Sequence, residues 1–204
     1  MSIASVSRDA LSGLLFTALA LVASLIAVVG FAVAEEPPPP GAKTAPVPQV
    51  APGTWWTFRD ATSGREVKYE VKKVTKDYVT ISVGGRQQEF THELNATEGR
   101  ARNGEWGVTY YPDLRFYSFP LWVGKKTEGG VAWTYRGDRG SFMSKSEVVA
   151  IEPVVVPAGT FEAFKVTNLA EDRSSECWYA IETRRAVKCE FGTATWELIK
   201  YELK

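Results

Sequence analysis

The chain has 204 residues with 24 basic and 24 acidic side chains, so its formal net charge is zero. A nucleic-acid-binding protein usually carries a basic excess or a basic stripe. Neither is present here, and we expect no nucleic-acid partner. The length leaves room for one domain once an N-terminal apolar segment and a linker are set aside.

An uncharged stretch, residues 11–34, follows Arg8 and ends in Ala32-Val33-Ala34 before two glutamates. The Ala-x-Ala ending favours a signal peptide, residues 1–34, that is cleaved near Ala34. The length favours the alternative, a single-span helix that stays in the inner membrane, because the apolar regions of signal peptides are usually shorter. Both alternatives predict a periplasmic location for the rest of the chain. Residues 11–34 would contact the membrane only if they are retained.

Residues 35–53 are rich in proline and hold 7 of the chain's 11 prolines. Such segments favour the extended polyproline II conformation. We therefore predict a Pro-rich linker. It would hold the domain away from the membrane if the apolar helix stays, or form a disordered N terminus if that helix is removed.

Residues 54–204 are predicted to form an all-β domain, because their apolar side chains alternate with polar ones at the period of a strand. Val79, Ile81 and Val83 run into two glycines, which predicts a tight hairpin with Val79 opposite Phe90. Outside the apolar N-terminal segment, no window shows a convincing helical period.

A weak internal repeat divides this domain into halves. The sequence Trp-Thr-Phe-Arg at residues 56–59 recurs as Trp-Thr-Tyr-Arg at residues 133–136. We predict two related antiparallel meanders of about six strands each, joined near residues 124–130 and arranged as a sandwich or a flattened barrel.

The clearest local signal is a hairpin over residues 154–166. Pro157 presets φ for the first turn position, and Gly159 can adopt a positive φ without steric cost. Both residues are expected to serve the turn and not a chemical step.

The two cysteines, Cys177 and Cys189, each lie six residues from Thr183. A hairpin centred near Thr183 would place them opposite each other, and an exported chain meets an oxidising compartment. We predict a disulfide, with two free thiols as the alternative. A redox or zinc site would need closer spacing or further ligands.

The sequence offers little for catalysis. His92 is the only histidine, and its position between Phe90 and Leu94 is typical of a half-buried structural side chain. Glu171 and Asp172 lie in a turn-like stretch and are expected to be solvated. Nucleophile-elbow, phosphate-loop and dinucleotide motifs are missing. We therefore expect no catalytic residue, no metal site and no cofactor.

Aromatic residues are dense between residues 106 and 122. Adjacent members of this set must point to opposite faces of a strand, so they cannot all share the core. We expect either core filling or an exposed surface that binds a protein partner or an apolar or lipid ligand. The candidate binding residues are Trp106, Tyr110, Tyr111, Phe116, Tyr117 and Trp122.

Five stretches of the second half resemble the TapB-like family of uncharacterised periplasmic proteins over about residues 119–203. The resemblance implies an exported all-β fold and assigns no catalytic residues. The matching stretches are Phe-Pro-Leu-Trp-Val-Gly-Lys-Lys at 119–126, Trp-Thr-Tyr-Arg at 133–136, Val-Pro-Ala-Gly-Thr-Phe at 156–161, Trp-Tyr-Ala at 178–180 and Trp-Glu-Leu-Ile-Lys-Tyr-Glu-Leu at 196–203.

Together these features predict a non-enzymatic, periplasm-facing β-domain that binds or scaffolds at the cell envelope. One alternative is an anchored accessory subunit of an inner-membrane protein complex, and another is a hydrolase of envelope polymers. An internal apolar cavity would favour a lipid-like ligand. A filled core with Tyr111 or Tyr117 exposed would favour a protein partner.

Overall fold

The computed structural model describes residues 36–100 and 105–204. These residues form twelve β-strands, and among them no helix is both long and apolar enough to cross a membrane. The signal-peptide and anchor predictions fall on residues outside the described ranges. The strands are β1 Trp55–Asp60, β2 Glu66–Val74, β3 Val79–Val83, β4 Arg86–Phe90, β5 Ala96–Arg100, β6 Trp106–Leu114, β7 Lys126–Tyr135, β8 Asp138–Val156, β9 Gly159–Ala170, β10 Arg173–Ala180, β11 Arg185–Phe191 and β12 Ala194–Glu202.

The strands form one closed antiparallel barrel in which each strand pairs with its neighbours in sequence and β12 returns to pair with β1. The all-β prediction is confirmed, and the sheet closes on itself instead of forming a two-sheet sandwich. Six strands precede and six follow the connection at residues 115–125, but β6 pairs directly with β7. The two predicted meanders are therefore consecutive parts of one sheet.

Three local predictions are confirmed by the strand register. Val79 lies opposite Phe90 in the β3–β4 hairpin. Val156 lies opposite Gly159 across the turn between β8 and β9, and Gly159 has the expected positive φ of 139°. Cys177 lies opposite Cys189 in β10 and β11, with a Cα–Cα distance of 4.1 Å, and the two form a disulfide.

The barrel interior is partly filled by large apolar side chains. Trp56 of β1 is fully buried, and its indole N–H donates to the backbone oxygen of Thr183, 2.8 Å away. This bond ties the β10–β11 turn to β1, which lies two strands from β11 in the barrel. It also gives the buried indole N–H the acceptor that it needs. The turn positions Arg185, which begins β11.

Part of the predicted linker packs on the barrel. Ala45 is fully buried and forms a two-way backbone bridge with Leu121, with N–O distances of 2.9 Å. Val47 and Val50 pack against the apolar clusters of the domain, and Lys43 forms an ion pair with Glu162. Residues 43–50 thus belong structurally to the domain, unlike the free tether that their proline content suggested.

Candidate functional site

The interior of the barrel holds a cavity of about 650 Å³, which we call the barrel cavity. Barrels of eight strands enclose only side chains or one small ligand, and the enclosed space grows with strand number. Twelve strands therefore leave room that the interior side chains do not fill. The volume lies within the range of about 300–1,000 Å³ that is typical of small-molecule sites.

Nine of the 24 residues that line the barrel cavity are aromatic. Phe58 and Tyr69 pack edge to face with ring centroids 5.6 Å apart, and Tyr117 and Tyr179 lie 5.7 Å apart. Burial removes the Tyr117 and Tyr179 hydroxyls from water and raises the pKa of both groups, so they are neutral donors at any physiological pH. The aromatic lining residues are Phe58, Tyr69, Phe90, Trp106, Phe116, Tyr117, Tyr179, Phe191 and Trp196.

One cation, Arg185, lies among these rings. Its guanidinium carbon is 4.6 Å from the Tyr69 ring centroid and 5.2 Å from that of Trp56, with Phe58 and Phe90 at about 6 Å. Burial lowers the pKa of the Arg185 guanidinium, because the charged form loses its hydration.

Arg185 has no carboxylate partner among residues 36–100 and 105–204, and its Nη1 atom is buried without a hydrogen-bond acceptor there. The Arg185 side chain as a whole is half-buried, since it lines the cavity, but a buried guanidinium N–H normally has an acceptor, because leaving it without one costs free energy. The ring faces offset part of that cost. Arg185 is therefore the feature of the cavity that core packing explains least.

A second polar group in the cavity also lacks a partner. Gln88 is only 5% exposed, and its amide nitrogen makes no hydrogen bond within the described part of the chain. Gln88 lies two residues before Phe90, so both side chains extend from the same inward face of β4. Phe90 is in turn one of the rings around Arg185. Both donors thus line the barrel cavity.

The loop after β4 closes one side of the cavity with a satisfied polar network. Asn95 is fully buried. Its side-chain oxygen accepts hydrogen bonds from the backbone N–H groups of Phe116 and Tyr117, and its side-chain N–H donates to the backbone oxygen of Tyr117. Glu93 accepts from the Phe119 N–H at 2.8 Å. Burial raises the pKa of the Glu93 carboxyl, while the Phe119 hydrogen bond opposes the shift.

The rim of the barrel cavity is charged and exposed to solvent. The guanidinium carbons of the exposed Arg65 and Arg86 lie 5.0 and 5.1 Å from the ring centroids of Trp196 and Trp106, within the range of cation–π contacts. Glu66 forms an ion pair with Arg59. The barrel cavity is therefore an apolar interior with a polar entrance.

The predicted aromatic surface is divided between different environments. Trp106, Phe116 and Tyr117 line the barrel cavity, and Tyr117 is buried. Tyr110 packs edge to face on Phe142, and Tyr111 is 78% exposed. Trp122 is buried away from the cavity, with Lys125 over its ring. Three of the six candidates therefore meet at one site.

The residues considered for chemistry do not come together. His92 is half-buried in the turn after β4, and Glu171 and Asp172 are exposed in the β9–β10 turn. Within the two described ranges, no group of three or more histidine, cysteine or acidic side chains could hold a metal ion.

Sequence reasoning did not identify Arg185, Gln88 or Glu93 as site residues. Arg185 follows Arg184 at the end of a turn, where arginine is usually solvated. Gln88 lies two residues before Phe90 in its strand, so the two side chains share the apolar face. This spacing is the one sequence signal that could have identified Gln88 as an inward polar group.

No protein-family model and no curated protein matches the chain. The hypothetical lipoprotein YmcC of Escherichia coli K12 is similar in shape at 8% identity, with a TM-score of 0.43 over 76% of this chain and 89% of that one. A proposed exported protein with a YmcC-like fold from Bacteroides fragilis is 15% identical, with a TM-score of 0.43 over 78% and 99% of the two chains. A proposed lipoprotein from Parabacteroides distasonis is 12% identical, with a TM-score of 0.37 over 78% and 100%. The resemblance to the TapB-like family stays a prediction.

Proposed function

We propose that the protein is a non-enzymatic binding module of the bacterial cell envelope and that its barrel cavity holds an apolar small molecule. The observation that carries this proposal is the aromatic cavity of about 650 Å³ with its open, charged rim. The export segment at residues 11–34 supports the envelope location.

The size of the cavity favours a ligand over a packing fault. Protein interiors are close-packed, and voids larger than a water molecule are few. Aromatic surface that stays in contact with water lacks the hydrophobic stabilisation, about 25 cal/mol for each Å², that burial would provide. A ligand that covers the rings of Tyr69, Phe116 and Trp196 would recover that free energy.

A protein partner is the second candidate, and the exposed Tyr111 ring is the observation that favours it. Tyr117, the other tyrosine expected on such a surface, is buried in the cavity wall. The small-molecule proposal therefore has the stronger support. The anchored-subunit and hydrolase alternatives stay predictions.

Titration with the neutral fluorophore N-phenyl-1-naphthylamine tests the proposal. We expect saturable fluorescence enhancement with the wild-type domain. Ala96 lines the cavity, and Ala96→Phe would fill part of it and weaken binding. Ala132→Phe, at an exposed position of β7, is the matched control and should bind as the wild type does.

Circular dichroism and thermal unfolding would show that both variants are folded. Absence of saturable binding by the wild type would contradict the proposal. Equal binding by the Ala96→Phe and Ala132→Phe variants would contradict the assignment of the site to the barrel cavity.

A further inference from the structure

We infer that the ligand of the barrel cavity is an amphipathic anion, an apolar chain with one carboxylate or phosphate group, and that Arg185 and Gln88 bind the anionic group. This inference rests on the proposed function, since it names the chemical class of the molecule that the cavity holds.

The guanidinium of Arg185 lacks a hydrogen-bond acceptor for one of its nitrogens. Its nearest described neighbours are aromatic rings, and Nη1 is buried without an acceptor among residues 36–100 and 105–204. Ring faces attract the cation but accept no strong hydrogen bonds along the edge of the guanidinium plane. That edge matches the two oxygens of a carboxylate or phosphate.

The carboxylates of the chain that line the cavity do not pair with Arg185. Glu93 is the buried carboxyl of the cavity wall, and it accepts from the Phe119 N–H and the Asn95 amide instead. Glu66 is exposed at the rim and is paired with Arg59. Glu98, the third carboxylate that lines the cavity, forms no ion pair with Arg185 among the described residues. The counter-charge of Arg185 is therefore left for a bound molecule.

Gln88 provides an independent observation. Its buried amide N–H groups have no acceptor in the described part of the chain, and its strand position places it beside Phe90 on the face toward Arg185. Each buried donor without an acceptor costs free energy that one more ligand oxygen would recover. An anion with two or three oxygens can satisfy both residues.

The rest of the cavity suits an apolar chain. Beyond Arg185 the wall is formed by rings and small side chains, among them Phe116, Phe191, Ala96 and Ala186. A molecule with its anionic group at Arg185 would place its chain against these residues and extend toward the rim. A neutral apolar molecule of the same size would leave Arg185 and Gln88 without acceptors.

Displacement of N-phenyl-1-naphthylamine by three twelve-carbon probes tests the inference, namely laurate, dodecyl phosphate and dodecanol. We expect at least one of the two anions to bind about tenfold or more tightly than dodecanol, the range of a hydrogen bond to a charged group. The better anion distinguishes a carboxylate from a phosphate site. Equal affinity of dodecanol and both anions would overturn the inference.

Two variants localise the anionic group. Arg185→Met keeps a long side chain without charge and should abolish the preference, so that the anion and dodecanol bind this variant with similar affinity. Gln88→Leu should weaken the preference without altering the charge of the site. Unchanged anion preference in a folded Arg185→Met variant would also overturn the inference.

The outcomes separate this inference from the proposed function. If the neutral fluorophore does not bind the wild type, the proposed function fails. If it binds but the anions show no preference over dodecanol, only the inference about the anion fails. If Arg185→Met does not fold, the wild-type comparison and Gln88→Leu still decide the question.

Discussion

The guanidinium carbon of Arg185 lies 4.6 Å from the centroid of the Tyr69 ring, in the interior of a closed barrel. Three more rings surround the same cation, and none of the carboxylates among the described residues pairs with it. A cation in such a place needs a compensating partner. This relationship links the fold of the protein to the binding role that we propose.

The disulfide is expected to contribute substantially to stability. In the chain-entropy model, closing a loop of this size stabilises the folded state by about 3 kcal/mol. The Cys177→Ala, Cys189→Ala double variant should therefore unfold at a clearly lower urea concentration than the oxidised wild type. Reduction of the wild type should reproduce the loss, and the double variant should not respond to reductant. Equal urea midpoints for the oxidised wild type and the double variant would contradict this expectation.

Asn95 is expected to be a central structural residue of the loop that closes the cavity. Asn95→Ala would remove the acceptor of the Phe116 and Tyr117 backbone N–H groups and the donor to the Tyr117 backbone oxygen. Each buried group left unpaired costs about 1–3 kcal/mol, so we expect a loss of about 3 kcal/mol in the free energy of unfolding.

The matched control for Asn95 is Asn168→Ala. Asn168 is also buried, but its amide makes no hydrogen bond within the described residues. The same atoms are deleted, and we expect a smaller loss, measured by urea denaturation. Equal losses at the two positions would show that the hydrogen bonds of Asn95 do not carry the effect.

Glu93 is expected to make stability depend on pH. Burial raises the pKa of this carboxyl above its ordinary value of 4.5, so the folded protein disfavours the ionised form. Below the ordinary value Glu93 is protonated in both states and costs nothing. As pH rises from that value towards the raised pKa of the folded state, the unfolded state ionises first and the folded state loses stability; the loss is complete once pH exceeds the folded pKa.

Glu93→Gln removes this ionisation. Its stability relative to the wild type should therefore be greater at about pH 7 than at about pH 4. Glu89→Gln, at an exposed position of β4, controls for the loss of one negative charge. Urea denaturation at both pH values measures the difference. A stability difference that does not increase between the two pH values would contradict the role given to burial.

Gly99 is expected to be required for the packing of Tyr110. A Cβ atom at Gly99 would lie 2.7 Å from the Tyr110 ring, closer than any relaxed contact. Gly99→Ala must shift that ring, and because the contacting atoms are the outer end of the half-buried Tyr110 side chain, we expect a cost at the lower limit of overpacking, about 1 kcal/mol. Gly129→Ala is the control, because a Cβ there meets nothing within 4 Å. Thermal unfolding should show a lower midpoint for the first variant only.

The strand pattern was predictable because it depends on local rules. Alternation of apolar residues, the Gly84-Gly85 turn and the Pro157 turn fix neighbouring strands, and the cysteine spacing follows from one hairpin. Closure of the barrel depends on pairing between β1 and β12, which are far apart in sequence, and no local pattern specifies it.

The site was harder to predict for the same reason. Trp106, Phe116 and Tyr117 were found because aromatic density is visible in one stretch. The cavity depends on side chains from both ends of the chain, and Arg185 and Gln88 become unusual only when the barrel shows that they face inward. Proline content also misled at residues 43–50, where contacts with Leu121 and Glu162 hold the segment on the domain.

The most direct test of ligand binding inside the barrel is a nitrogen-15 NMR titration of the domain with N-phenyl-1-naphthylamine, followed on five of its seven tryptophan indoles. Trp106 and Trp196 line the cavity, whereas Trp55, Trp122 and Trp178 do not. We expect saturable shifts of the Trp106 and Trp196 signals and little change in the other three. Shifts confined to the indoles outside the cavity, or no saturable shift at all, would contradict a ligand site inside the barrel.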